Sequence, residues 1–170
     1  MSLKSYPWPY LEIDNYLPKE MFNFLRNDAM MYGEDGDVNR VMFDHDPIPL
    51  AAGLLSEFTT HRPVGNMGKF IHYAVTKADF LHDRHYDADF KIMSAVLYLG
   101  PEKNGGTVLY DGDEAVIEVE WKPNKLFVFC GMDNLTWHHY YSEATRYTLN
   151  YFLVDMDKVE NDEYRQKIIV

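Results

Sequence analysis

His85 and Asp87 stand two residues apart in His85-Tyr86-Asp87. On an extended chain, residues i and i+2 point to the same face. An imidazole and a carboxylate can therefore reach one ion from one strand edge. A later histidine, from the tandem pair His138-His139, can complete a set of two imidazoles and one carboxylate. Such a set covers one face of an octahedral metal and leaves three positions open, the arrangement of non-heme Fe(II) oxygenases. His-x-Asp by itself is a common accident in a chain with 7 His and 27 Asp plus Glu. The weight rests on the elements that must bring these side chains together.

At 170 residues the chain reads as one domain with room for a proper core. It carries 13 Tyr, 10 Phe and 3 Trp, and aromatic side chains pack well on pleated sheet surfaces. The formal net charge is −11, with no basic cluster. Generic nucleic-acid binding needs cations against phosphates, so the charge argues against it, and against an anionic membrane surface. The single cysteine, Cys130, lies in the apolar run Leu126-Phe127-Val128-Phe129-Cys130. That excludes a disulfide scaffold and suits a buried inert thiol. The first residues show no hydrophobic signal region, and no apolar run reaches membrane-spanning length. The expectation is a cytoplasmic protein.

The pattern of apolar residues changes along the chain. Tyr10 to Ile13 reads as a short strand. Pro18 suits a first helical turn, and Met21, Phe22, Leu25 and Ala29 follow at helical spacing. Residues 34 to 46 are polar and acidic and read as a surface loop, with His45 between Asp44 and Asp46. A second helix is expected over about Leu50 to Thr60. The N-terminal part, about 1–65, is thus expected to be mostly helical. From about residue 69 to 155 the period is two. Strands are expected at Phe70–Val75, Ile92–Leu99, Thr107–Tyr110, Ala115–Trp121, Leu126–Cys130, Leu135–Tyr141 and Arg146–Val154. A polar segment, Thr76 to Phe90, carries His82, Asp83, His85, Asp87 and Asp89. The tail Asp157 to Lys167 reads as an exposed helix. Short strands at regular spacing, separated by turn signals, indicate a sandwich or barrel.

In that order, several pieces resemble the Fe(II)- and 2-oxoglutarate-dependent dioxygenases, in their prolyl-hydroxylase-like branch. Residues 9 to 20, Pro-Tyr-Leu-Glu-Ile-Asp-Asn-Tyr-Leu-Pro-Lys-Glu, look like the family's lead-in to its first helix. His85-x-Asp87 precedes a strand ending Val96-Leu97-Tyr98-Leu99. Gly105-Gly106-Thr107 matches the Gly-Gly that opens the next strand. Lys125 to Phe129 looks like the strand ahead of the distal histidine. Thr136-Trp137-His138, then Arg146-Tyr147-Thr148, resembles the end of the core. The resemblance covers nearly the whole chain.

The resemblance implies a mainly β fold with N-terminal helices, a double-stranded β-helix (a cupin-like jelly roll). It implies Fe(II) held by His85, Asp87 and His138. It also implies 2-oxoglutarate and O2 as cosubstrates, with ascorbate as an accessory reductant. Hydroxylation would be coupled to oxidative decarboxylation of 2-oxoglutarate to succinate and CO2. The cosubstrate's far carboxylate needs a cation in an apolar barrel, and arginine offers a permanent charge and a planar fork. Arg146 follows His138 by eight residues, so a hairpin would return it beside the metal. Thr148 shares its face at i+2. Tyr98 is a second candidate donor, and Tyr73 a further one upstream of the motif. His138 is taken over His139 because Trp-His is the family pattern, although the spacing to Arg146 is slightly short. Halogenase relatives replace the carboxylate with a small residue. Asp87 is present, which favours hydroxylation.

Expected substrates are a peptide, a prolyl side chain among them, or a small molecule. The acidic loops near 34–46 and 76–90 would line the entrance and suit a basic peptide or a polar metabolite. His82 is a candidate for touching substrate. The competing reading is a non-catalytic jelly-roll binding protein in which His85, Asp87 and His138 are incidental.

Overall fold

A computed structural model describes residues 2–47, 66–130 and 135–169 of the chain. The described chain is mainly β. A sheet of seven strands runs in the order β1 (Ser2–Lys4), β2 (Tyr10–Ile13), β9 (Leu126–Cys130), β6 (Lys91–Gly100), β11 (Arg146–Asp155), β4 (Met67–Thr76) and β3 (Val38–Met42). A sheet of four runs β5 (Phe80–His85), β10 (His138–Ser142), β7 (Thr107–Asp111) and β8 (Glu114–Val119). Every pairing is antiparallel. Two antiparallel sheets with the chain crossing repeatedly between them by short connections fit a jelly roll.

The period of two divides the central strands by parity. Ile71, Tyr73, Ala95, Leu97, Leu149 and Tyr151 face outward, onto helix α1 (Lys19–Ala29), which buries Phe22, Leu25 and Ala29 against them. Burial of each Phe or Leu contributes roughly 1.5–3 kcal/mol, enough to fix which face is which. Phe127 and Phe129 turn the other way, toward the small sheet, with Tyr98, Leu109, Val119 and Trp121. Parity also aligns the inner face into rungs. Arg40, Ala74, Thr148 and Tyr98 form one. Met42, His72, Asn150 and Val96 form the next. Phe70, Phe152 and Ser94 form the one after that.

The structure corrects four expectations. The N-terminal part is not mostly helical: among the described residues up to 47 there is one helix, α1, and three strands. Val38–Met42, expected as loop, is an edge strand. It pairs on one side only and is half-exposed, so it shows no apolar alternation. Phe80–His85 is a strand within the segment read as polar and irregular. The tail forms a 3-10 turn, Met156–Lys158, and a single helical turn, α2 (Asp162–Arg165), instead of a long helix. It then returns to the large sheet through a bridge from Ile169 to Lys69. The second helix expected over about Leu50 to Thr60 lies outside the described residues. No helix among the described residues is long and apolar enough to cross a membrane.

Candidate metal centre

His85 closes β5 and His138 opens β10, and the two are direct partners in the antiparallel ladder. Asp87 follows two residues after the end of β5. One ligand atom from each of the three lies within 4.8 Å of the others. The Nδ1 of His85 is 2.7 Å from the Asp83 carbonyl oxygen, and the Nδ1 of His138 is 2.9 Å from the Thr136 carbonyl. A carbonyl only accepts, so each Nδ1 carries the proton and donates it. Each Nε2 is left with a free lone pair. Burial lowers the pKa of both imidazoles, helped at His85 by the neighbouring His138. Both are therefore neutral, as metal binding requires.

Asp87 is held from two sides. Lys91 Nζ donates to one carboxylate oxygen at 2.7 Å, and the Ser94 hydroxyl donates to the other. Burial alone would push the Asp87 carboxyl up. The Lys91 charge, the His138 ring and the two hydrogen bonds overcome this and hold it at about 2. The ligand is thus an oriented carboxylate near neutral pH. The ammonium of Lys91 also lies 3.7 Å from the centroid of the Phe152 ring, a cation–π contact inside the barrel.

These residues line a cavity of about 390 Å³ between the sheets, within the range of small-molecule sites. Arg146 lies at one end of it, 2 % exposed. Its Nη1 donates to the Gly105 carbonyl at 3.0 Å, and its guanidinium is 4.2 Å from the Tyr140 ring and 4.6 Å from the Trp121 ring. Among the described residues it has no carboxylate partner. A Cβ on Gly105 would collide with the Tyr141 carbonyl, so only glycine lets these backbones approach closely enough to present that oxygen. Thr148 lines the cavity next to Arg146. Tyr98 is fully buried beside it, with its hydroxyl 2.8 Å from Thr107 Oγ1, and Thr107 lines the cavity. Tyr73 is elsewhere. Its odd parity sends it to the outer face, where it packs on Phe43 with ring centroids 4.8 Å apart.

Strand geometry separates the tandem histidines. His138 points in. His139 points out, where its Nδ1 is 2.8 Å from the Tyr110 hydroxyl. That outer face is pinned by Arg84, which lies 4.8 Å from the Tyr110 ring and 4.6 Å from the Trp137 ring. His82 lines the cavity, its ring 4.2 Å from that of His85. His45 is an exposed loop residue paired with Asp44.

Lys91, Ser94, Arg40, His72 and Asn150 are among the cavity residues that the sequence reading did not place at the site. Ser94, Arg40, His72 and Asn150 each left a faint signal, as a polar side chain whose parity matches the inner face of its strand, whereas Lys91 is out of phase with Ser94 and reaches the cavity past a register shift at the start of β6. Arg40 could not be placed without knowing that β3 exists.

The donor set fits a divalent iron. Two neutral imidazole nitrogens and one carboxylate oxygen converge from one side, and their backbone and Ser94 partners fix their orientation. The far end fits an anionic group, because a buried guanidinium without a carboxylate partner calls for one. No family model and no curated protein matches the chain. Solved structures do. A viral collagen prolyl hydroxylase from Paramecium Bursaria Chlorella virus-1, in complex with 2-oxoglutarate, aligns with a TM-score of 0.65 at 17% identity, over 86% of this chain and 96% of that one. A prolyl hydroxylase from Trichoplax adhaerens, bound to a peptide fragment of hypoxia inducible factor, aligns at 0.63 and 15%, over 87% and 84%. A Pseudomonas putida prolyl-4-hydroxylase aligns at 0.59 and 17%, over 85% and 91%. The chain therefore has the fold of the prolyl hydroxylases, the branch that its motifs resemble.

Proposed function

We propose that this chain is an Fe(II)- and 2-oxoglutarate-dependent oxygenase that hydroxylates a C–H bond. The observation that carries the reading is the pairing of two features in one cavity. Three ligand atoms converge within 4.8 Å, and a buried Arg146, without a carboxylate partner among the described residues, lies at the far end. Iron and 2-oxoglutarate, when bound, supply the activation of O2. The balance is C–H plus O2 plus 2-oxoglutarate giving C–OH, succinate and CO2.

The protein's own residues have separate tasks. His85, Asp87 and His138 hold the metal on one side and leave the other side open. Arg146 binds the far carboxylate of 2-oxoglutarate through its planar fork. Thr148 adds a hydroxyl, and Tyr98 supports that end through Thr107. Phe127, Phe129 and Val96 give the cavity an apolar wall. The intact Asp87 carboxylate favours hydroxylation over halogenation. A peptide, a prolyl peptide among them, enters as a substrate through the structural neighbours, one of which is bound to a peptide.

The test is succinate formation from 2-oxoglutarate by purified protein with Fe(II), ascorbate and air, read in the native chain and in His138→Ala. Succinate that disappears in the variant supports the oxygenase. Neither succinate nor metal-dependent 2-oxoglutarate binding would overturn it in favour of a jelly-roll binding protein without catalysis.

A further inference from the structure

An acidic chain encloses a cationic cavity. The formal net charge is −11, yet the lining of the cavity holds three cations, Arg40, Lys91 and Arg146, against one carboxylate, Asp87. Its histidines are all lowered by burial, so they are neutral near pH 7. A cleft lined by one sign of charge, between low-dielectric walls, concentrates ligands of the other sign.

Two of the three cations are accounted for. Lys91 donates to Asp87 at 2.7 Å, and Arg146 faces the place of the far carboxylate of 2-oxoglutarate. Arg40 has no such task. It stands on β3, the edge strand of the large sheet, on the inner-face rung of Ala74, Thr148 and Tyr98. Among the described residues no carboxylate pairs with it. Of the acids around β3, Asp37 pairs with Lys77, Asp44 with His45 and Asp46 with Lys69. The charge of Arg40 is felt inside, where it adds to burial in lowering His72 and His82.

Arg40 also marks where the cavity meets solvent, because it is exposed and belongs to the lining. His82 stands on β5, the edge strand of the small sheet, with its ring 4.2 Å from that of His85. Arg40 acts on His82, so the two edge strands flank one opening. A molecule entering there passes an unpaired guanidinium on its way to the metal ligands.

Loading the site does not cancel the excess. One carboxylate of 2-oxoglutarate answers Arg146. The other, with Asp87, answers a divalent metal. The charges of Lys91 and Arg40 are then left without an anion. They sit apart, one beside the metal ligands and one at the mouth, which suits singly charged groups better than one compact dianion. A guanidinium takes a carboxylate through two parallel hydrogen bonds, whereas an ammonium would meet like charge. We propose that Arg40 is a substrate-recognition residue and that the substrate carries a carboxylate, as a free acidic amino acid or as an aspartyl or glutamyl side chain in a peptide. The inference rests on the oxygenase reading and names the substrate class of that cavity.

The test measures binding to the protein loaded with Zn(II) and saturating 2-oxoglutarate, by ligand-observed NMR titration. No turnover occurs in that complex, so the outcome does not depend on oxygenase activity. One arm uses free L-aspartate, L-glutamate, L-asparagine, L-glutamine and L-lysine. The other uses a blocked tripeptide, Gly-X-Gly, with the same five residues at X. The 2-oxoglutarate signals are followed throughout, and an acid that binds only by displacing it scores as no binding. The expected result is saturable binding of an acidic probe at least about tenfold tighter than its amide counterpart and lysine, because a charge-assisted hydrogen bond is lost with the amide. The arm in which this occurs separates free amino acid from peptide. In Arg40→Gln the preference should fall to about twofold or less while 2-oxoglutarate affinity holds, with folding checked by circular dichroism. Arg40→Lys keeps the charge without the fork and should fall between the two proteins; it serves alone if the first variant fails to fold. The proposal is overturned if the acids bind no better than the amides and lysine in both arms, or if their preference survives unchanged in the folded variants. A 2-oxoglutarate affinity that drops about tenfold in Arg40→Gln overturns it too, by giving Arg40 to the cosubstrate. An enzyme that forms succinate yet shows no preference for acids loses this inference and keeps the oxygenase reading.

Discussion

His85 and His138 face each other across one rung of the β5–β10 ladder, with ring centroids 4.4 Å apart. The spacing of the two imidazoles is therefore set by sheet hydrogen bonds and not by a mobile loop. Asp87 lies beyond the strand end and depends on Lys91 and Ser94 for its orientation. Ser94→Ala should leave the fold intact and weaken metal binding by about 10–100-fold, the usual effect of removing a partner of a metal ligand. Asp87→Ala should weaken it more, because a ligand atom is lost. Calorimetric titration with Mn(II) or Zn(II) ranks the three proteins. Equal affinities across the series would remove Asp87 from the ligand set.

Arg146 tests the other end of the cavity. Arg146→Lys keeps a positive charge but loses the planar fork and the stacking on Tyr140 and Trp121. A charge-assisted hydrogen bond is worth about 1.5–3 kcal/mol, so 2-oxoglutarate affinity should drop roughly 10–100-fold while metal affinity holds. Titration of the Zn(II)-loaded variant with 2-oxoglutarate reads the change directly. An unaltered affinity would mean that the cosubstrate carboxylate binds elsewhere.

How much of this was legible depended on whether the information was local. His85-x-Asp87 is a local pattern, and the alternation at Ile92–Leu99 or Arg146–Val154 marks strands packed on both sides. β3 and β5 were not legible for the opposite reason. An edge strand paired on one side, such as Val38–Met42, needs no apolar alternation, and Phe80–His85 spends its inner face on cavity residues instead of core. Partnerships across strands, such as Ser94 with Asp87 or His72 with Asn150, depend on register between strands far apart in sequence. Tyr73 shows what parity can and cannot decide. It alternates out of phase with His72 and Ala74, but only the pairing of Arg146 with Thr76 says which phase faces the cavity.

Tyr98 gives a stability prediction. Tyr98→Phe removes one hydroxyl and leaves Thr107 Oγ1 without the bond it makes at 2.8 Å. The ring still stacks on Trp121, with centroids 4.4 Å apart. The net cost of one buried hydrogen bond is about 1 kcal/mol, which for a chain of this size lowers Tm by about 2–4 °C. Differential scanning calorimetry of the metal-free proteins checks it. An unchanged Tm would mean that the Thr107 hydroxyl finds another partner.

His72 makes the metal-free protein sensitive to acid. Its pKa is depressed from 6.5 to about 3 in the folded state. Between those values the unfolded chain takes up a proton that the folded chain does not. Stability is therefore fully present above about pH 6.5 and declines as pH falls toward 3. A tenfold change in proton affinity is worth about 1.4 kcal/mol, so this residue accounts for a loss on the order of 3–5 kcal/mol across that window. His82, His85 and His138 are also lowered by burial and add to the slope in the same direction. The informative quantity is accordingly the difference between the native chain and His72→Gln. Urea unfolding in EDTA at pH 7, 5.5 and 4.5 should show the native chain losing stability faster than the variant, by up to about 1.4 kcal/mol for each pH unit. Parallel curves would mean that the folded protein opens enough to protonate His72 at its ordinary pKa, and the neutral ring on the cavity wall would have to be abandoned.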